Sequence, residues 1–366
     1  MKVMTVLGTR PEIIRLSRII PQLDRFCEHL FVHTGQNYEE SLSDVFLREL
    51  GLRAPDVHLG VRAGGFGEQV ARILEGIDRL LVERRPDRVV ILGDTNSALS
   101  SIVAARRGIP VFHLEAGNRC YDDRVPEEVN RRLIDHSSTV LMPYTERSKE
   151  NLVREGIERE RIFVIGNPIF EVLTANETRI DGSDVLTRLG VAPGGYFLAT
   201  LHRAENVDDP ARLAGLLSGL ERVAGEFGPP VLVSVHPRTA DRISRAGLSA
   251  DPRKVRLLEP FGFFDFVKLE KHARAVLTDS GTVQEECAIF RVPNVTIRDV
   301  TERPETIECG SNALTGGDSE DIARGLRIAL ESGNDWPPPA GYTTQTVSAT
   351  VVKTVLGYLS LRRHAS

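Results

Sequence analysis

Short apolar, β-branched runs recur along the chain, each stopping at Gly, Asp, His or Glu and each followed by a stretch with helical spacing of its apolar residues. This alternation marks an α/β protein with parallel sheets, because parallel strands need crossover helices and are buried on both faces. In the first half the pattern predicts strands at Val3–Leu7, Leu30–Thr34, Arg88–Leu92, Val111–Leu114, Thr139–Met142 and Ile162–Ile165. In the second half it predicts Tyr196–Thr200, Val231–Val235, Val255–Leu258, Ala275–Thr278 and Asn294–Ile297. Periodicity weakens across Phe170–Gly190, which suits a domain junction. Two doubly wound domains are therefore expected, over residues 1–170 and 171–345. A C-terminal segment, 346–366, contains a helical pattern at Thr346–Leu359 and is expected to pack back on the first domain. The stretch from Trp336 through three prolines to Gly341 shows no core pattern.

The length of 366 residues agrees with two domains, since single domains run to about 100–200 residues. With 41% hydrophobic and 27% charged residues the chain can bury two cores and lies far from disordered compositions. A net charge of −5 gives no electrostatic reason to seek nucleic acid or an anionic membrane, so small molecules or other subunits are the expected partners. The four cysteines are far apart with no CxxC pair, which points to neither a zinc knuckle nor a disulfide framework and suits a cytoplasmic protein. No apolar stretch approaches the ~18 residues of a membrane span, and the run after Lys2 is too short for a signal peptide.

Ligands of open parallel sheets bind beyond the carboxyl ends of the strands, so the polar residues just after each apolar run carry the candidate chemistry. Gly8-Thr9-Arg10-Pro11-Glu12 is a strand-to-helix turn whose free NH groups, with Arg10 and Arg15, suit a phosphate or polar sugar, although an ordinary turn fits as well. It is not GxGxxG, so a nicotinamide fingerprint is missing where it is expected. Gly93-Asp94-Thr95 and Glu115-Ala116-Gly117 close two consecutive strands, which would bring Asp94 and Glu115 to one sheet edge as paired carboxylates. Asp94 also suits a helix N-cap. Pro126-Glu127-Glu128 opens a helix on which Glu127 and Arg131 are four apart, a spacing that also suits a surface ion pair. His202 and His236 each follow a strand, and either is compatible with a packed structural histidine. No HExxH or ligand-spaced cluster suggests a metal. At Asp279-Ser280-Gly281 a strand enters a helix start, a ready anion site for a diphosphate, with a glutamate one turn further on within reach of a ribose diol, although a capped helix with acidic residues in its first two turns fits as well. Arg298 to Glu305, with two arginines (Arg298 and Arg303) and three acidic residues, suits a cleft-lining loop.

Taken together, GlyThrArgProGlu at 8–12, GlyAspThr at 93–95, GluAlaGly at 115–117, ProGluGluValAsnArg at 126–131, HisArgAlaGluAsn at 202–206, AspSerGly with GlnGluGlu at 279–286 and ThrGluArgProGlu at 301–305 resemble the non-hydrolysing UDP-N-acetylglucosamine 2-epimerases over nearly the full length. The resemblance implies two Rossmann-like domains of the glycosyltransferase-B type with a deep interdomain cleft, often as a homodimer, and no redox cofactor. It places the catalytic groups on Asp94, Glu115, Glu127, Arg131 and His202. It places UDP-sugar contacts on Arg10, Arg15, His236, Ser280, Gly281, Glu286 (ribose) and Arg303. The implied reaction is anti elimination of UDP across C1–C2 and re-addition on the other face, for surface polysaccharides such as capsule and O-antigen.

The chain departs from the family pattern in places. Arg15 stands for the usual Lys, Gln36-Asn37-Tyr38 replaces a stretch tied to substrate activation, and Asn118-Arg119-Cys120 replaces LeuArgThr. These variants, with CysAlaIlePhe and ProAsnValThrIleArgAsp near the end, resemble the subgroup that inverts C2 of a UDP-2-acetamido-2,6-dideoxy-L-hexose to give UDP-N-acetyl-L-fucosamine, which is preferred over UDP-GlcNAc/UDP-ManNAc interconversion. A hydrolysing epimerase, a retaining glycosyltransferase of the same fold and a nucleotide-sugar sensor are the competing readings.

Overall fold

The computed structural model describes residues 1–36 and 40–358, with side chains left out for 40–43. The chain forms two units, one of Met1–Ala175 with the described part of Ala340–Ser366, the other of Asn176–Pro339. The sequence pattern put the divides at 170/171 and 345/346. In the first unit the strands are β1 (Lys2–Leu7), β2 (Glu28–His33), β3 (Val57–His58), β4 (Arg88–Leu92), β5 (Val111–Leu114) and β6 (Val140–Met142). In the second they are β7 (Phe197–Leu201), β8 (Val231–Val235), β9 (Val255–Leu258), β10 (Val276–Thr278), β11 (Asn294–Thr296) and β12 (Asn312–Leu314). The sheet orders are β3-β2-β1-β4-β5-β6 and β12-β11-β10-β7-β8-β9, parallel throughout.

Counted from each unit's own first strand, both sheets have the Rossmann order, so the expected α/β class of two Rossmann-like units is what the chain adopts. In each, the order reverses between the first and fourth strands, β1/β4 and β7/β10. There the following loops run to opposite faces and leave a crevice at the strands' carboxyl ends. Gly8 and Gly93 follow β1 and β4, and His202 and Asp279 follow β7 and β10.

Burial explains why these runs are strands. Phe197, Ala199 and Leu201 of β7 join one apolar cluster with Val231, Val233 and Val235 of β8, while Leu198 and Leu232 join the cluster on the opposite face. Alternating side chains thus fill two layers, as a sheet covered by helices on both faces requires.

Three expectations need correction. Ile162–Ile165 is not a strand: Phe163 N and Ile165 N bond the carbonyls of Leu141 and Pro143, but only the single bridge Leu141↔Ile162 forms. Pro143 has no N–H to continue a ladder from β6. The edge strands β3 and β12, two and three residues long, were too short to show a period. The stretch after Trp336 is anchored despite its composition, with Trp336 buried and donating from Nε1 to Ala288 O at 3.2 Å, and Tyr342 buried in the first unit.

The C-terminal helix Val347–Gly357 belongs to the first unit. Ser348 ties it to Gln22 Nε2 at 2.7 Å, and the buried Arg88 guanidinium donates to the carbonyls of Val355 and Tyr358. No helix among the described residues is long and apolar enough to cross a membrane.

Candidate active site

The first switch point is built on close approach. A Cβ at Gly8 would lie 2.2 Å from both Ser97 Oγ and Thr34 Oγ1, so only glycine lets the three loops meet. Pro11 starts the helix Arg10–Leu16, and Glu12, buried in its first turn, accepts from Gly8 N (3.0 Å), Thr9 N (2.8 Å) and Thr9 Oγ1 (2.8 Å). Its other oxygen accepts from Thr95 Oγ1 at 3.0 Å, which couples the turn after β1 to the turn after β4. Burial outweighs these bonds and raises the Glu12 carboxyl to about 7. Arg10, beside them, lies over the Phe46 ring at 5.7 Å.

Asp94 is not an N-cap. Thr95 caps the 3₁₀ turn Asn96–Ser100, and the Asp94 carboxylate takes Arg131 Nε at 2.8 Å and Nη2 at 2.7 Å. Arg131 reaches it from the helix Pro126–Ser137 and also donates from Nη1 to Glu128 Oε2 at 2.8 Å. Glu128 is buried, which alone would raise its pKa. The NH of Cys120 and the Arg131 charge outweigh that and hold it below the ordinary carboxylate value. Glu127, next to it, is half-buried.

Glu115 adopts φ +67°, a left-handed backbone uncommon for a residue with a Cβ and frequent where function stores strain. Its carboxylate is clamped by a buried ion pair with Arg15, by Tyr144 OH at 3.2 Å and by Asn118 Nδ2 at 3.4 Å. Arg15 lies over the Tyr144 ring at 5.6 Å. A Cβ at Gly93 would lie 4.0 Å from Glu115 Oε2, so the Asp94 turn and the Glu115 carboxylate are neighbours across β4 and β5. Beneath both, Asp135 takes His113 Nδ1 (2.9 Å), Arg119 Nη2 (2.8 Å) and Gly117 N (3.2 Å), while His113 Nε2 meets Gly93 O at 2.9 Å. Burial opposes the Asp135 charge, but His113 and Arg119 hold its pKa low.

In the second unit Asp279 organises the switch point. It is fully buried and accepts from His202 N (2.8 Å), Arg203 N (2.9 Å) and Asn206 Nδ2 (3.3 Å). Its other oxygen lies 2.8 Å from His202 Nδ1. Burial would raise the Asp279 carboxyl, yet the His202 charge and these donors hold it far below the usual range. The His202 side chain is 40% exposed, which leaves Nε2 for other partners. Ser280 is the N-cap of the helix Gly281–Phe290, and a Cβ at Gly281 would lie 2.8 Å from Glu302 Oε1. Behind it Arg303 pairs with the buried Glu285, and Arg298 Nη1 donates to Glu302 at 2.9 Å. His236 caps the helix Pro237–Arg245, its Nδ1 accepting from Arg238 N at 3.3 Å.

The structure thus brings Asp94, Arg131, Glu115 and Arg15 together in the first unit, and His202, Ser280, Gly281 and Arg303 around one strand end in the second. Glu286 is buried. Sequence reasoning passed over Glu12, Glu128, Tyr144 and Asp279. Asp279 follows a strand as Asp94 does, and Glu128 lies three residues from Arg131, so position and helical period pointed to both. Tyr144 carried no such signal. Of the departures from the family pattern, Asn37 and Tyr38 lie outside the described residues, whereas Gln36 Oε1 accepts from Ser97 N at 3.0 Å. Among the described residues no cluster of His, Cys, Asp and Glu is suited to a metal ion.

Two Rossmann-like units with polar, carboxylate-bearing turns at the ends of their strands suit an enzyme of the nucleotide-sugar class. The chain belongs to the UDP-N-acetylglucosamine 2-epimerase family, whose model matches residues 22–356. It is 41% identical over 349 residues to a UDP-N-acetylglucosamine 2-epimerase of Methanocaldococcus jannaschii, covering 93% of this chain and 95% of that protein. A crystal structure of the Methanocaldococcus jannaschii UDP-GlcNAc 2-epimerase in complex with UDP-GlcNAc and UDP superposes with a TM-score of 0.93 at 40% identity, covering 98% of this chain and 100% of that one. A UDP-2,3-diacetamido-2,3-dideoxy-D-glucuronate 2-epimerase of Pseudomonas aeruginosa is 36% identical over 334 residues, 90% of this chain and 92% of that protein. The chain is therefore an isomerase of the glycosyltransferase-B-like fold that epimerises at C2.

Proposed function

We propose that this enzyme interconverts the C2 epimers of a UDP-N-acetylhexosamine, with UDP-GlcNAc and UDP-ManNAc as the first pair, by anti elimination of UDP and re-addition. The observation that carries the reading is the adjacency of Asp94 and Glu115, two carboxylates at neighbouring strand ends, each held by a buried arginine. Inverting C2 means taking a proton from one face and delivering one to the other, so an epimerase needs two acid–base groups. In the forward step a carboxylate accepts the C2 proton, the C–H pair becomes the C1–C2 double bond, and the C1–O pair leaves with UDP. Re-addition of UDP to C1 with protonation of C2 on the opposite face completes the reaction, with no net oxidation.

In this reading Asp94, Glu115 and Glu127 supply the acid–base groups and Arg131 orients Asp94. Arg10, His236, Arg303 and the Ser280-Gly281 turn stabilise the departing diphosphate, and Glu286 binds the ribose. The family resemblance assigns His202, which lies against Asp279, to the catalytic set. Arg15 is assigned to Glu115 and not to phosphate, because their buried ion pair already uses its charge.

The relatives' names support UDP-GlcNAc as substrate. A second substrate, UDP-2-acetamido-2,6-dideoxy-L-hexose, is favoured by the resemblance of Asn118-Arg119-Cys120, CysAlaIlePhe and ProAsnValThrIleArgAsp to the subgroup that acts on it. Proton NMR in D2O with each sugar decides between them. Loss of the C2 proton signal with a C2 epimer and little free UDP is expected. Accumulating UDP with free N-acetylmannosamine would indicate a hydrolase, and exchange with neither sugar would overturn the proposal. D94N and E115Q are each expected to lower kcat by at least ~100-fold while UDP affinity stays within about twofold. Parallel loss of UDP binding would move these residues out of the acid–base role.

A further inference from the structure

Beneath the turns that carry Asp94 and Glu115, the first unit buries a polar cluster that the reaction above does not explain. At its centre are His113 of β5, 1% exposed, and Asp135 of the helix Pro126–Ser137, 0% exposed, so neither is a group that touches substrate. The His113 ring bonds Asp135 Oδ1 through Nδ1 and Gly93 O through Nε2, both at 2.9 Å. A carbonyl oxygen only accepts, so Nε2–H is the donor at Gly93. The second Asp135 oxygen accepts from Gly117 N at 3.2 Å and pairs with Arg119 Nη2 at 2.8 Å. Arg119 is itself fixed by Glu155, donating from Nε at 2.8 Å and from Nη2 at 2.6 Å.

These bonds act on the two carboxylate-bearing turns where regular pairing of β4 with β5 has ended, at Leu92 and Leu114. Gly93, Glu115 and Gly117 all have left-handed backbone, with φ +72°, +67° and +80°. The Gly93 carbonyl shares one rigid peptide plane with the nitrogen and Cα of Asp94, and the Gly117 nitrogen belongs to the second peptide after Glu115. The same helix carries Arg131 one turn before Asp135, and Asn130 Nδ2 donates to Asp94 O at 3.0 Å. One helix therefore grips Asp94 by its carboxylate through Arg131, by its carbonyl through Asn130, and by the preceding carbonyl through Asp135 and His113.

We propose that His113 and Asp135 are positioning residues that set the separation of the two acid–base carboxylates, Asp94 and Glu115. This rests on the acid–base roles proposed for those two residues. Inverting C2 uses one group on each face of a single carbon, so an error in their separation misplaces one whenever the other is aligned. The chain of bonds from Gly93 O through His113 and Asp135 to Gly117 N ties the two turns to each other through buried residues only. Asp135 is paired with Arg119, and bonds to a charged acceptor are roughly twice as strong as neutral ones, which suits a fixed spacer.

The test is a double-mutant cycle on the full chain, read as turnover of the UDP-sugar that wild type epimerises and as UDP affinity by calorimetry. H113L and H113M remove the donor at Gly93, while H113Q keeps an amide N–H on a side chain of similar reach. H113L and H113M are each expected to lower kcat about 30-fold with KM and UDP affinity within about twofold of wild type, and H113Q to return kcat to within about threefold. In the D94N background H113L should cost less than about twofold more, because the separation matters only while both carboxylates work. A full additional loss in D94N, a parallel loss of UDP affinity in both H113L and H113M, or no recovery in H113Q overturns the positioning role, since each is what a merely structural histidine gives. D94N that keeps wild-type turnover overturns the acid–base reading and the positioning role with it. D94N that loses turnover, with H113L additive to it, overturns the positioning role alone.

Discussion

Glu12 and Asp279 are both buried carboxyl groups just after a switch-point strand, yet their environments drive them in opposite directions. Glu12 is met by neutral donors only, two NH groups and two hydroxyls, and burial prevails, raising it to about 7. Asp279 faces His202 as well as backbone donors and stays ionised far into acid. The consequences for stability have opposite signs. A carboxyl raised above its ordinary value of 4.5 binds its proton more tightly in the folded state. Its contribution is therefore fully present below that value and is lost as pH rises through about 7. That change is of order 3 kcal/mol at its limit. Asp279 contributes above its ordinary 3.8, and the contribution is lost as pH falls. We expect E12Q to flatten the urea-unfolding midpoint between pH 4.5 and 7. A wild-type slope that persists in E12Q would refute this. Residue type alone cannot predict such a difference, because neighbours distant in sequence decide it. Tyr144 is 29 positions from Glu115 and Arg15 is 100 from it, yet both end on that carboxylate.

At the scale of elements, the loops after the strands are held by contacts that leave no room. Gly117 has φ +80°, and a Cβ there would lie 2.2 Å from Ser148 O and 2.8 Å from Leu152 Cγ. G117A combines left-handed backbone strain with overpacking against a carbonyl, and should destabilise by about 2–5 kcal/mol in urea unfolding. A loss below about 1 kcal/mol would mean that the loop relocates freely. The strands themselves were largely legible, since a buried parallel strand is written in its own consecutive apolar residues. Short edge strands were not. β12 pairs through the amide of Asn312, whose Oδ1 accepts from Asn294 Nδ2 and Thr296 Oγ1 at 2.8 Å each, a polar ladder without hydrophobic period. The false strand at Ile162–Ile165 had the right composition but a neighbour ended by Pro143.

On the scale of the whole molecule, the chain leaves its first unit at Ala175 and returns to it at Ala340. The returning helix buries Val347, Val351 and Val355 and supplies the carbonyls for the buried Arg88. Truncation after Pro339 removes those partners and that apolar surface together. It should destabilise the first unit by at least ~3 kcal/mol, read as lost hydrogen-exchange protection in β1 and β4 with β7 and β10 unchanged. Equal protection in both units would show the helix to be dispensable. The sequence by itself determined the doubly wound class, most strands and the turns that carry Asp94, Glu115, His202 and Ser280, because these follow from local burial period and from the end of each strand. Only the tertiary structure decided which arginine neutralises which carboxylate, which glutamate keeps a proton and where the last helix docks. Those outcomes depend on distances between residues far apart in the chain and on the removal of water around them, and neither is encoded in local pattern.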